Sequence, residues 1–406
     1  PNGEPQSIDG MIGYAVRQGP IYAGQKSDGS FGYQDNYSPE AWLASESFVQ
    51  NINRNISASG QLKWDTPVEG LSFIGKAGVN YWTKYDKAYR ADTYFDESKT
   101  VGPASLNVWT ANNTYTTFEA LATYEKRIKD HSFKLLAGTS VEQSANRGLE
   151  GYRNTFPNNY LYELGSGDKA TATNNSSLEE YALLSFFGRI NLDWENKYLL
   201  EVNLRADQSS RFLSNNRTGY FPSASVAWRM DQEAFMEDWV EKGLSNLKFR
   251  LSYGSLGNNS VGNYDAIATY ANKPSSGSAF NYTLNNALIL GLAQARLANP
   301  DLTWETTYSY NVGVDLGLFQ NRIEFIADVY YKKTKNLLLQ LPLPAYLGSS
   351  GQGAASNPWG NVGSLENKGI ELTLNTTNIT NKDFQWTSNL VFSLNRNKVV
   401  ELDTDN

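Results

Sequence analysis

The chain has 406 residues and carries 35 Lys and Arg against 42 Asp and Glu, a net charge of −7. That balance lacks the basic footprint of a nucleic-acid-binding domain. The absence of cysteine excludes disulfides and thiolate metal sites, and the single histidine, His131, excludes a multi-histidine metal centre.

Taken in order, residues 1–50 show no sustained period. They are rich in Gly, Tyr, Ser and Asp and read as a long structured loop. Strands then come in pairs. Ile56, Ala58, Leu62 and Trp64 alternate with Ser57, Ser59 and Lys63, turn at 65–70, and return through Leu71, Phe73, Ala77, Val79 and Tyr81. A polar segment, 84–113, separates this pair from the next, 114–127 and 132–146, whose turn lies at 128–131. Another long loop, 147–178, follows.

The stretch 181–230 contains three alternating runs. Leu184, Phe186, Ile190, Leu192 and Trp194 share one parity; Leu200, Val202, Leu204 and Ala206 another; Ala224, Val226, Trp228 and Met230 a third. Opposite them stand Glu201, Asn203, Arg205, Asp207 and Arg229. The turn is at 195–197 and the longer polar connection at 208–218. Residues 231–243 read as a brief helix that Asp231 can cap. A strand restarts at Leu247, Phe249, Leu251 and Tyr253, and a very long segment covers 256–302. The cleanest alternation is Tyr308, Tyr310, Val312, Val314, Leu316 and Leu318, which turns at 319–322 into Ile323, Phe325, Ala327, Val329 and Tyr331. A loop at 336–360 leads to the last pair, 368–377 and 384–396, turning at 378–383.

The pattern amounts to about twelve strands with one apolar and one polar face, joined alternately by short turns and long loops. A half-buried soluble sheet would show the same alternation of faces. The segregation of loop lengths favours a transmembrane antiparallel β-barrel, with short periplasmic turns and long extracellular loops. No stretch approaches about 18 apolar residues, so no transmembrane helix is predicted. The mean hydropathy of −0.50 agrees. A charge on a lipid face costs roughly 2–4 kcal/mol at midplane, and the apolar faces carry essentially none. On this reading the protein is a multi-pass β-barrel of the outer membrane.

No catalytic signature survives inspection. Gly254-Ser255-Leu256-Gly257 lacks the helix that a nucleophile elbow requires, and no Asp-rich calcium loop occurs. No enzyme activity, cofactor or metal is expected. The polar row Arg205, Asp207, Arg229, Arg250, Asp315, Glu324, Asp328 and Glu371 would line a lumen. It either contacts a plug or solute there, or pairs with itself in a wet channel. The loop aromatics Trp109, Tyr152, Tyr160, Tyr162, Tyr346 and Trp359 are candidates for stacking on substrate, against ordinary loop packing.

RADQSSRF at 205–212 and FPSASVAWR at 221–229 resemble the SusC/RagA class of TonB-dependent outer-membrane transporters. LKFRLSYGSLGN at 247–258, NPDLTWE at 299–305, NVGVDLGLFQNR at 311–322, NVGSLENKGIELTL at 361–374 and FSLNRNKV at 392–399 agree in the same order. The resemblance covers 181–400 well. It implies a barrel of about 22 strands around a plug, of which about half would be present. It assigns 1–52 to an extracellular loop and 53–400 to barrel strands and loops, with the plug domain, signal and terminal strands absent from this chain. It further implies import of a large nutrient, an oligosaccharide or a peptide. The partners would be a SusD-like surface lipoprotein, TonB acting through the missing N-terminal region, and outer-membrane lipid, with no nucleic acid. A siderophore or cobalamin receptor is the nearest alternative; a porin, an adhesin or a barrel enzyme using His131 lies further off.

Overall fold

The structure is a computed structural model that describes residues 8–17, 19–22, 24–35, 38–271, 281–342 and 357–402. Two helices, α1 (Ile8–Arg17) and α2 (Pro39–Ala44), lie within the stretch read as irregular. The strands that follow are β1 (Phe48–Asp65), β2 (Leu71–Arg90), the small hairpin β3 (Thr93–Asp96) and β4 (Lys99–Val101), β5 (Ser105–Ile128), β6 (His131–Asn154), β7 (Thr173–Trp194), β8 (Tyr198–Ser209) and β9 (Thr218–Arg229). After the five-residue helix α3 (Glu237–Glu241) come β10 (Leu244–Asn258), β11 (Thr269–Ala271), β12 (Asn281–Leu284), β13 (Ala287–Leu290), β14 (Ala293–Arg296), β15 (Glu305–Leu318), β16 (Ile323–Lys335), β17 (Leu338–Gln340), β18 (Trp359–Asn361), β19 (Ser364–Thr380) and β20 (Gln385–Glu401).

The twelve long strands form one antiparallel sheet in the order β1-β2-β5-β6-β7-β8-β9-β10-β15-β16-β19-β20. Each pairs only with its neighbours along the chain, so β1 and β20 are its two edges. This corrects the expectation of a closed barrel. Closure requires the outer edges to pair in a shear-consistent register, and among the described residues β1 and β20 make no such pairing. The multi-pass barrel location is corrected with it, because an open sheet in lipid would leave a row of N–H and C=O groups unsatisfied at each edge. Among the described residues, no helix is long and apolar enough to cross a membrane.

The chain separates into two compact units. The first comprises Pro1–Ala58, Val79–Thr116 and Ser144–Glu180. Its interior holds Tyr89, Ala91, Ala104, Leu106 and Phe156, and a second cluster of Ala41, Trp42, Phe95 and Val101. Helix α2 starts at Pro39, whose fixed φ suits a first helical position. It is docked by Trp42, edge-on to Phe95 at 5.8 Å.

The second unit comprises Ser59–Gly78, Thr117–Gln143 and Tyr181–Asn406. Cross-strand register aligns Leu200, Val226, Leu251, Val312, Val329, Ile370 and Leu394 in one apolar row. Val312 is 58% exposed and Val329 54%, so this face is not the inside of a second layer. An open apolar face of this kind marks a surface that meets another apolar phase or partner. Where the long loops gather, Phe212, Phe221, Val261, Ala266, Leu302, Trp304 and Leu338 form a buried cluster.

The short turns lie where the alternation placed them, and each is tied to a neighbour. Glu195 N donates to Asp130 O, Arg229 N to Lys197 O, Phe319 N to Gly243 O, and Thr377 N to Arg322 O. Glu195 and Asn196 are left-handed, as are Phe319, Gln320 and Asn321. This geometry costs roughly 1–2 kcal/mol per non-glycine residue and the hydrogen bonds between turns offset part of it. Residues 231–243 form two 3-10 turns and α3, and Asp231 is not the cap. It is buried, and its carboxylate accepts from Leu247 N at 3.1 Å and from Arg229 and Gln232.

Candidate functional site

The second unit presents its charged residues on the face opposite the apolar rows. The strand period of two places Glu201, Asn203, Arg205 and Asp207 of β8 there. Their partners on β7 are Asn191, Arg189, Phe187 and Ser185. Arg205 is held on three sides. Its Nε donates to both Asp207 oxygens at 2.7 and 2.8 Å, its Nη2 donates to Ser185 Oγ at 2.8 Å, and its guanidinium lies 5.4 Å from the Phe187 ring centre. Ser185 and Asp207 are both buried. Beside this group, Arg189 Nε donates to Asn203 at 2.6 Å, and Glu201 accepts from Asn191 at 2.6 Å and from Asn203 at 2.8 Å. A hollow of about 700 Å³ is bounded by Phe187, Arg189, Glu201, Asn203, Arg205 and Ser223.

A second network occupies β10, β15 and β16. Register sets Arg250 beside Gly313 and Gly313 beside Asp328, with Glu371 next in the row. Arg250 Nη2 reaches Asp315 at 2.8 Å and Asp328 at 3.0 Å, and Lys248 meets Asp315 at 2.9 Å. Glu324 accepts a long bond from Asn375 at 3.5 Å, and Glu371 is exposed. Arg229 stands apart from both networks, paired with Asp231 at 3.3 Å and Asn196 at 2.8 Å near the short turns. Among the described residues, Arg205 with Asp207, Arg250 with Asp315 and Asp328, and Arg229 with Asp231 form three local groups, and Glu324 and Glu371 stand outside them.

The described aromatics among the candidates are distributed over the two units. In the first unit, Trp109 lies under Lys84 Nζ at 4.6 Å, and Tyr152 Oη accepts from Asn154 at 3.4 Å. Tyr162 packs against Phe48 and Tyr89 with ring centres at 5.1 and 5.7 Å, while Tyr160 is 76% exposed. In the second unit, Trp359 rests against the buried loop cluster, and its carbonyl accepts from Asn299 at 2.7 Å. Tyr346 lies outside the described residues.

Several contributing residues were not singled out by the sequence reading. Phe187, Ser185 and Arg189 were detectable by parity alone, as the residues opposite the β7 apolar set. Phe221 shares that parity signal, opposite the β9 apolar set, but its contacts with glycines had none. Its ring covers Gly219 and Gly257, where an added Cβ would come within 2.5 and 2.0 Å of the ring. The ring therefore closes down only because glycine stands at both positions. Arg211 braces the same loops, donating to Asn263 at 3.1 Å and Asn259 O at 2.9 Å, with its cation 4.5 Å from the Tyr181 ring centre.

His131 stacks on Trp194 at 3.8 Å, and its Nδ1 has no hydrogen-bond partner among the described residues. Among the described residues, no carboxylate bonds that Nδ1 in the way a triad base would require. Among the described residues, no group of three or more His, Asp or Glu could hold a metal ion.

Comparison with known proteins gives consistent results. A family model described as TonB dependent receptor-like, beta-barrel, matches residues 5–406. TonB-dependent receptor P3 of Formosa agariphila is 37% identical over 336 residues, covering 82% of this chain and 32% of that protein. TonB-dependent receptor SusC of Bacteroides thetaiotaomicron is 33% identical over 227 residues, covering 54% and 21% respectively. Among solved structures, the RagAB peptide transporter superposes with a TM-score of 0.77 at 27% identity, over 89% of this chain and 38% of that one. The chain spans about a third of the length of the curated relatives with the highest coverage, 32% and 34%.

Proposed function

Because the chain belongs to the TonB dependent receptor-like β-barrel family, we propose that it supplies strands and loops to a SusC/RagA-type importer of a large nutrient, a peptide or an oligosaccharide. The family is one of receptors and transporters, not enzymes. The observation that carries the reading is the superposition on the RagAB peptide transporter over nearly the whole chain. The polar face of the sheet supports it, since fixed guanidinium and carboxylate groups beside a hollow suit passage of a polar solute.

In this reading a SusD-like lipoprotein closes over the long loops, and TonB transmits energy to the importer from the inner-membrane proton gradient. The exposed Tyr160 and the neighbouring Tyr162 are offered to the partner or the solute, and the polar row faces the transport path. A whole-cell uptake assay with labelled peptides and oligosaccharides, with and without TonB, tests the proposal. Uptake of either class that disappears without TonB is the expected result. Uptake that continues unchanged without TonB sinks the active mechanism, and uptake of only iron chelates or cobalamin replaces the substrate class.

A further inference from the structure

We infer that the hollow above Gly254, on the polar face of the second unit, is a subsite for an uncharged stretch of peptide. The peptide main chain lies on serine hydroxyls, and one of its apolar side chains meets Leu256. The inference rests on the import reading in one respect, that a solute reaches this face. The hollow measures about 700 Å³, within the roughly 300–1,000 Å³ of small-ligand sites.

The floor is built by register. Gly254 of β10 stands between Ser223 of β9 and Ser309 of β15, and Ser252 stands between Ser225 and Asn311. The strand period of two puts these residues on the face that carries Arg205 and Arg250. Ser223 Oγ accepts from Asn203 at 3.2 Å. Ser225, Ser252 and Ser309 line the hollow and make no side-chain hydrogen bond among the described residues. A hydroxyl both donates and accepts, so this floor serves the N–H and the C=O groups of a main chain. Gly254 leaves the floor open. Within 4 Å, a Cβ there would meet only Ser223 Cβ, at 3.4 Å. At Gly313 and Gly257 the space of the missing side chain is filled by Asp328 with Arg250 and by Phe221; above Gly254 it is left to a ligand.

The walls select the ligand. Four charged residues line the hollow, Glu119, Arg189, Glu201 and Arg205, and their charges sum to zero. Each is already engaged: Glu119 by Lys76 at 3.2 Å, Arg189 by Asn203, Glu201 by two asparagines, and Arg205 by Asp207 and Ser185. An ionised ligand would lose hydration without gaining a free counter-charge, which favours an uncharged one. Leu256 shares the polar face by parity, lines the hollow and is 66% exposed. It is an open apolar contact for a side chain. A sugar ring would need the open face of an aromatic ring. Phe187 is covered by the Arg205 guanidinium, Phe221 is buried over Gly219 and Gly257, and Tyr253 lies on the opposite face against Tyr310 at 5.1 Å.

The test is equilibrium binding to the purified full-length receptor. The probes are N-acetyl-Ala-Leu-Ala-Leu amide and cellotetraose, both uncharged. The wild type should bind the peptide more tightly than the sugar. Gly254→Val fills the hollow and should weaken peptide binding roughly tenfold or more. The double variant Ser225→Ala with Ser252→Ala should weaken it roughly fivefold, through lost hydrogen bonds. Circular dichroism checks that each variant folds. Tighter binding of cellotetraose than of the peptide, binding of neither, or unchanged peptide binding in folded Gly254→Val overturns the subsite. If Gly254→Val does not fold, unchanged binding in the serine pair overturns it. Binding is measured without TonB. A failure of TonB dependence in uptake therefore strikes the import reading, while a failure of these binding results strikes the subsite alone.

Discussion

Arg250 on β10 and Asp328 on β16 are separated by a whole strand, yet their side chains meet at 3.0 Å because the residue between them is Gly313 of β15. A Cβ at Gly313 would stand 2.5 Å from Asp328 Oδ1 and 2.7 Å from the Arg250 guanidinium. The glycine is the gap through which the charges join. In Gly313→Val the side chain should part the pair and lower stability by about 1–3 kcal/mol through overpacking. A double-mutant cycle on Arg250→Met and Asp328→Leu, read by denaturant unfolding, should give a coupling of up to about 1 kcal/mol for this partly exposed pair. A coupling indistinguishable from zero would mean that the contact is not maintained in solution.

Gly257 and Phe221 make a second pair in which absence of a side chain permits a contact. Gly257→Ala places a methyl against the ring and should cost about 1–3 kcal/mol. The double variant Gly257→Ala with Phe221→Leu should recover part of that loss. Thermal unfolding of the three proteins checks it, and an additive double variant would show that the ring does not need the glycine.

Gly243 supports the turn after β15. It has φ +110°, and Phe319 donates from its backbone N–H to the Gly243 carbonyl at 2.6 Å. Gly243→Ala meets both a left-handed backbone and the Phe319 ring at 2.9 Å, so a loss of about 1–3 kcal/mol is expected. Hydrogen exchange should show the amides of residues 319–321 losing protection first. Uniform loss across the sheet would contradict a local role.

Glu233 gives a pH-dependent contribution. Hydrogen bonds from Tyr198 Oη at 2.6 Å and Trp228 Nε1 at 3.0 Å, with Lys197 nearby, hold its carboxyl below the ordinary glutamate value. A carboxyl depressed in the folded state stabilises fully above its unfolded pKa, and that contribution disappears as pH falls through the folded value. Melting temperatures of the wild type and Glu233→Gln should therefore differ at neutral pH and converge in acid. A gap that widens on acidification would reverse the sign of the linkage.

Legibility followed the range of each physical signal. The turn at 195–197 was visible because apolar alternation stops at Trp194 and resumes at Leu200. The left-handed Phe319-Gln320-Asn321 turn was located but its conformation was not foreseen, since none of the three is glycine. The stretches 84–113 and 147–178 read as loops because their apolar residues, such as Tyr89, Phe95, Leu106 and Phe156, are scattered among polar ones and Gly without a sustained alternation. The structure instead carries β2 to Arg90, starts β5 at Ser105, and runs β6 to Asn154. Asp231 read as a helix cap by position, whereas tertiary packing made it the acceptor for Leu247 N. Arg189 and Phe187, which complete the Arg205 group, were passed over.

The sequence by itself determined which face of a strand each residue occupies, because side-chain direction alternates with a period of two and needs no knowledge of neighbours. Its motifs also pointed to the family. Only the tertiary structure decided which residues meet across strands and whether the sheet closes. Arg250 and Asp328 stand 78 residues apart in the chain, and their meeting depends on the register of three strands and on a glycine between two of them. Closure depends on the two outermost strands finding each other, a long-range pairing that no local pattern encodes. Among the described residues, β1 and β20 remain edges.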